Sequence, residues 1–286
     1  MWKRRVYQIL VKIAIYTASA AALLPLVLAM IYSVTSPSEI TQYFSWLGDS
    51  ARPEFLPVKV VPDTLSLRQY YDVLIEKLYY LRYLFNSAKY STGIVLGQLV
   101  VAPLAAYAFS RFRFKFRDGL FFIYIVIMML PFQAYMLANY FALDSIGLID
   151  SGWSLIVPGI FSPFSVFLLR QYMVNVPDEI MEAASIDGAG PLMKLTRIML
   201  PMVSPGLAAM VVLAFAESWN MVEQPLLFIN DKYKYPLSLI LQEITPVSMP
   251  DVFAAIALFV AFPVLLFLIF NEDVVRGIEN IKLPES

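Results

Sequence analysis

Residues 13–34 carry no charge, and five more largely apolar runs follow along the chain. A hydrocarbon core of ~30 Å is crossed by roughly 20 apolar residues of helix. Inside it, each segment must satisfy its own backbone polar groups. Such runs leave few folds open. The expected spans are 13–34, 86–109, 119–142, 152–173, 203–227 and 252–270. That describes an all-α integral membrane protein with one domain over residues 1–286. Lys3, Arg4, Arg5 and Lys12 flank the first run as in the n-region of a signal peptide. The run exceeds an h-region of ~7–15 residues, so it reads as an uncleaved first span.

Charge placement orients these spans. Arg111, Arg113, Lys115 and Arg117 follow the second, and Arg170, Lys194 and Arg197 follow the fourth. The connection between the third and fourth holds Asp144 and Asp150 and no Lys or Arg. Short Lys- and Arg-rich loops stay cytoplasmic, which places both termini inside and an external loop at 35–85. That loop is expected to end in an interfacial helix, LRQYYDVLIEKLYYLRYLF, at 67–85. The chain has no Cys, no His and a net charge of −1. Disulfides, thiolate metal sites and the commonest general base are therefore absent, and nucleic acid is not an expected partner.

One stretch breaks the apolar pattern: EAASIDGAGPLMKLTRIMLP, residues 182–201. Upstream, Pro177 can begin a helix without sacrificing a hydrogen bond. Asp178 and Glu179 follow, where the positive end of a helix favours acids. Gly188 closes that helix in the left-handed conformation. Pro191 opens a second helix, which Pro201 ends or kinks. The expectation is a helix-turn-helix in a cytoplasmic loop, 174–201, between the fourth and fifth spans. Ala183, Ala184, Gly188 and Ala189 are small and permit close approach by another surface. On physics alone, a docking element and a plain connector fit this pattern equally.

The spacing Glu182-Ala183-Ala184, three residues, Gly188, nine residues, then Ile198-x-Leu200-Pro201 resembles the signature loop of permease subunits of binding-protein-dependent ABC importers. AAYAFSRFRF (105–114), FLLRQYMVNVPDEIMEAASIDGAG (167–190) and FAESWN (215–220) are similar to the carbohydrate-uptake branch, the maltose-type inner permeases. The resemblance covers about 84–270. It implies a type I importer permease in a prokaryotic cytoplasmic membrane. The implied partners are a second permease subunit, two ATPase subunits, an external solute-binding protein and the surrounding lipid. The loop would enter a groove on an ATPase subunit, with Glu182, Ala183, Ala184, Asp187 and Gly188 as the coupling contact. ATP and Mg would be bound by the ATPase subunits. The chain itself would carry no cofactor and no catalytic site, and it has no G-x-x-x-x-G-K-[ST] phosphate loop. A sugar or oligosaccharide would cross by alternating access.

Polar residues within spans are functional candidates. Glu217, Trp219, Asn220 and Glu223 suit a sugar, whose C–H faces stack on aromatic rings while its hydroxyls bond. The competing use is helix packing. Relatives follow Trp-Asn with an acidic residue, whereas Met221 stands here. Gln133 and Tyr135, beside the kink expected at Pro131, are further candidates for the path. GIVLG (93–97) allows close helix contact, chiefly within the subunit. SRFRFKFRD (110–118) reads as a topology determinant with aromatics at the inner interface. The tail 271–286 is acidic and mixed, unlike the glycine-rich basic end of relatives. Other readings are a permease for another polar solute, an ion-coupled secondary transporter, which would want paired broken helices, and a membrane scaffold that moves nothing.

Overall fold

The computed structural model describes residues 2–45, 60–242, 245 and 248–279. All regular structure among them is helical, with one isolated bridge between Thr35 and Leu65. Four helices are long and apolar enough to cross a membrane: Gln8–Ser33, Tyr79–Arg111, Trp153–Val174 and Met249–Ile269. Two bent pairs raise the number to six if each counts as one span. Residues 46–59 of the loop expected outside and 280–286 of the tail lie outside the described residues, as do the side chains of 2–7 and 270–279.

The chain divides into two compact units. The first comprises Met1–Leu81 and Leu241–Ala261. It contains α1 (Trp2–Ser33) and α2 (Pro37–Tyr43). Tyr32, Ile40, Phe44 and Met249 form its core, and the Tyr32 ring meets Phe253 edge-on at 5.1 Å. The buried Gln69 amide donates to the carbonyls of Ser33 and Thr35, closing off the end of α1. The helix expected at 67–85 is not continuous. A short helix, Arg68–Tyr71, passes into a π-turn, Asp72–Glu76, and ends at Lys77. Lys77 leaves the helix to pair with Asp251, whose side chain is buried. That hydrogen bond holds the Lys77 ammonium above its usual range, against the opposing effect of burial. The residues from Tyr79 onward instead begin α3 (Tyr79–Arg111).

The second unit comprises Arg82–Ile240 and Phe262–Ser286. The third expected span is split into α4 (Arg117–Met129) and α5 (Phe132–Ser145), which meet at 104°. Pro131 causes the break. It excludes the helical conformation from the residue before it, and Leu130 is extended with ψ 130°. The fourth span, α6 (Trp153–Ile160) and α7 (Pro163–Val174), is interrupted at Phe161. Here the buried Gln98 of α3 bridges the gap: its amide donates to the Gly159 carbonyl at 2.7 Å and accepts from Ser165 at 2.7 Å. Gly93 and Gly97 of α3 take the side chains of Ile156 and Ile160, and Gly159 takes Ile94 in return. GIVLG is thus used for packing inside the subunit.

Two apolar clusters fill this unit. One gathers Ala102, Ala106, Leu169, Met173, Met181, Leu195 and Met199. The other gathers Tyr90, Ile94, Leu143, Leu155, Ile156 and Phe228. α8 (Asp178–Ile186) is followed by α9 (Pro191–Met202), which meets α10 (Ser204–Trp219) at 82°. The fifth span was expected to run on to 227. The helix stops at Trp219 instead and resumes as α11 (Glu223–Phe228). Continuing α10 would bring Pro225 into a helix interior, where its ring clashes with the carbonyl four residues back. Asn220 closes α10 by donating its amide to the Ala216 carbonyl at 2.8 Å. The last helix, α12, runs Met249–Glu279.

The segment after α11 is pinned to α3 and to Asp150. Asn86 donates to the carbonyls of Tyr233 and Tyr235, and Tyr90 donates to that of Lys234. One Asp150 carboxylate oxygen accepts from the backbone N–H of Asn230 and Asp231, each at 3.0 Å, and the other lies 3.2 Å from the Lys234 ammonium. The Asp231 N–H above all, with Lys234 and the Asn230 N–H, holds the Asp150 carboxyl below the usual range.

Candidate functional site

The helix-turn-helix between α7 and α10 is built from its sequence with little ambiguity. Pro177 is extended at ψ 139° and caps α8 rather than lying in its first turn, which Asp178 and Glu179 occupy. At the far end, the N–H of Ala189 bonds to the Ala184 carbonyl at 2.9 Å and that of Gly188 to the Ser185 carbonyl at 3.1 Å. This six-to-one, five-to-two pair is the Schellman arrangement. It requires a left-handed residue, and Gly188 has φ +81°. Pro191 is the first residue of α9. Lys194 hydrogen-bonds to the Ser185 hydroxyl and ties the two helices together. The backbone of α9 passes through a π-turn, Leu195–Met199, just before Pro201. An extra residue in the turn is a common way to accommodate an interrupted hydrogen-bond ladder.

The loop has two faces. Met181, Leu195 and Met199 point inward and join the apolar cluster of the second unit. Ala184, expected at the contact surface, is also turned inward and only 7% exposed. A helix repeats every 3.6 residues, so Ala184 falls on the face of Met181 while Ala183 does not. Glu182, Ala183, Asp187 and Gly188 are exposed. Beside them stand Ile186, 87% exposed, and Leu192, 64% exposed. No atom of this chain lies within 4 Å of a Cβ built at Gly188. Both large apolar side chains are left uncovered by this chain at the turn.

Sequence reasoning did not find the residue that holds this loop. Arg111, the last residue of α3, pairs with Asp178 and donates to the carbonyls of Met173, at 2.6 Å, and Val176. The alternating SRFRFKFRD pattern gives no sign of it, because all three partners lie more than sixty residues away.

The polar residues expected to line a path fall into two groups. Gln133 donates to both carboxylate oxygens of Glu223, at 2.6 and 2.8 Å. Tyr135 lies within electrostatic reach of Glu217. These four side chains are exposed in the single chain, as is that of Asn220. They stand beside the breaks at Leu130–Pro131 and after Trp219. Trp219 differs. Its ring is stacked with Phe215 at 5.1 Å and Phe262 at 5.2 Å, and the residue is 0% exposed. It offers no open face to a sugar in this conformation. Among the described residues, no group of His, Cys, Asp and Glu is placed to hold a metal ion.

Comparison with known proteins assigns this architecture. Residues 98–279 match the family described as "Binding-protein-dependent transport system inner membrane component". The chain is 32% identical over 221 residues to the arabinooligosaccharides transport system permease protein AraQ of Halalkalibacterium halodurans, covering 76% of this chain and 79% of AraQ. It is 33% identical over 202 residues to the sn-glycerol-3-phosphate transport system permease protein UgpE of Agrobacterium fabrum, covering 69% and 72%. Its fold is similar to a chain in the crystal structure of a bacterial ABC transporter involved in the import of the acidic polysaccharide alginate. That match has a TM-score of 0.77 and 20% identity, over 94% of this chain and 96% of the other. The chain therefore belongs to the family of inner membrane components of binding-protein-dependent transport systems.

Proposed function

We propose that the chain is a permease subunit of an ABC importer, through which a sugar or oligosaccharide crosses the cytoplasmic membrane. The observation that carries this reading is the exposed turn at Gly188, flanked by Ile186 and Leu192 and anchored from behind by Met181, Leu195 and Met199. Such a turn suits insertion into a groove on an ATPase subunit, with Glu182, Ala183, Asp187 and Gly188 at the contact and Ala184 supporting them. ATP and Mg belong to that partner, and hydrolysis there moves the spans of this chain. The complex contains a second permease subunit, two ATPase subunits and an external solute-binding protein. α4 with α5 serves as one span and α10 as another, which with the four long helices makes six spans in a single permease domain with both termini in the cytoplasm. Glu217, Asn220, Glu223, Gln133 and Tyr135 face the path, while Trp219 packs behind it. The sugar assignment is supported by the similarity to the arabinooligosaccharide permease.

The test uses the complete complex in liposomes with its binding protein. ATP hydrolysis is measured against a panel of neutral sugars, acidic oligosaccharides and sn-glycerol-3-phosphate. Stimulation by one sugar class is expected. Gly188→Leu should weaken ATPase association about tenfold, since a left-handed residue with a Cβ costs roughly 1–2 kcal/mol, while the spans still insert. Hydrolysis indifferent to every sugar would remove the substrate class. Full co-purification and transport with Gly188→Leu would remove the docking role.

A further inference from the structure

Arg111 places one planar group where three elements meet. A guanidinium carries five N–H donors in a fixed fork. Here one nitrogen pairs with Asp178, the first residue of α8, and another serves the carbonyls of Met173, in the last turn of α7, and of Val176, just beyond it. Arg111 thus ties the end of α7 and the start of α8 to the end of α3. The Arg111 side chain is 10% exposed, so water competes weakly for the two carbonyl bonds, whereas Asp178, 79% exposed, meets it from the solvent side. The Arg111 Nε is buried with no hydrogen-bond partner among the described residues. A buried donor left unpaired is costly, and shape alone gives no reason to retain one. Apolar contacts within the cluster that holds Met173 and Met181 can slide, whereas charge-assisted bonds fix direction as well as distance.

We propose that Arg111 is the positioning residue that transmits movement of the docking turn into α3, a role that rests on the coupling reading above. When α8 shifts, Asp178 moves with it. Arg111 then draws the end of α3 along, together with the stretch of α3 that holds Gly93, Gly97 and Gln98 against α6 and α7. Without Arg111, the turn still displays Ile186 and Leu192 and still docks, but its displacement is absorbed at residues 175–177.

The experiment compares variants in the full complex in liposomes, reading ATPase co-purification and sugar moved per ATP hydrolysed. In Arg111→Ala the ATPase should co-purify in full, while sugar per ATP falls about tenfold, within the range of measured coupling free energies. Asp178→Ala removes one contact of three and should cost under about threefold, with Arg111→Lys falling between the two. The chain has no cysteine, so a pair introduced by Arg111→Cys and Asp178→Cys can be joined with a short bis-maleimide. Joining should restore sugar per ATP, and single-cysteine variants given the same reagent should stay low. Wild-type sugar per ATP in Arg111→Ala would overturn the role. So would loss of the ATPase in that variant together with no recovery of sugar per ATP in the cross-linked cysteine pair, since Arg111 would then only shape the loop. If the wild-type complex itself showed no sugar-stimulated hydrolysis, the coupling reading would fail first, and this role with it.

Discussion

Gly97 is a residue whose value is the side chain it lacks. A Cβ there would sit 2.2 Å from an Ile160 carbon. Gly97→Ala should therefore destabilise the subunit by about 1–3 kcal/mol, the usual cost of overpacking a filled core. Ile160→Ala in the same chain should recover much of that loss. Thermal unfolding in detergent, run as a double-mutant cycle, checks this; additive losses would count against the direct contact. Asp150 combines two roles. It holds a left-handed backbone, φ +57°, and accepts from two backbone N–H groups and Lys234. Asn tolerates that conformation and still accepts through its amide oxygen, so Asp150→Asn should be milder than Asp150→Ala. The folded carboxyl titrates below its unfolded value. Its contribution is therefore complete above about pH 4, the unfolded carboxylate range, and is lost as pH falls through the lowered folded value. The stability gap between wild type and Asp150→Asn should close in that acid window, and a gap unchanged at pH 3 would show that the charge is not what matters.

At the scale of elements, glycine and proline were the legible residues and long-range polar contacts were not. Gly188, Pro191 and Pro131 state their roles locally: left-handed turn, helix start and broken span. The inward turn of Ala184 is also local, but only once the register of α8 is known. The break at Lys77 could not be read, because nothing nearby interrupts a helix. Its partner Asp251 is 174 residues away. The same holds for Arg111 and for Gln98, which satisfies a carbonyl exposed by the gap at Phe161. The termination of α10 was partly signalled by Pro225, a breaker inside a run taken as one span. For the bend between α4 and α5, Pro131→Ala restores an N–H and lets Leu130 become helical. Proline costs roughly 3 kcal/mol in a helix interior, so the straight form should gain population by that scale. Spin labels at the exposed Phe122 and Leu137 would then report a second, longer distance. A single unchanged distance would mean that packing, not proline, sets the 104° bend.

For the whole molecule, the family assignment turns exposed surface into information. A membrane chain is normally covered by lipid, so most of its exposed apolar side chains need no further partner. Polar groups freed at helix breaks do, since unsatisfied backbone is tolerated at membrane depth only beside protein or a wet cavity. The breaks at Pro131 and Trp219, with Gln133, Tyr135, Glu217, Asn220 and Glu223 beside them, would be accommodated by the polar path proposed above. This is also why the site was only half legible. Composition marks residues as polar and in a span, but cannot say that Trp219 is sealed between Phe215 and Phe262. The exposed pair Ile186 and Leu192 has a consequence for biogenesis. On the docking proposed above, a copy made ahead of its ATPase would leave both side chains uncovered, and assembly would conceal them. The proposed docking turn would thereby double as an exposed apolar mark of the unassembled subunit.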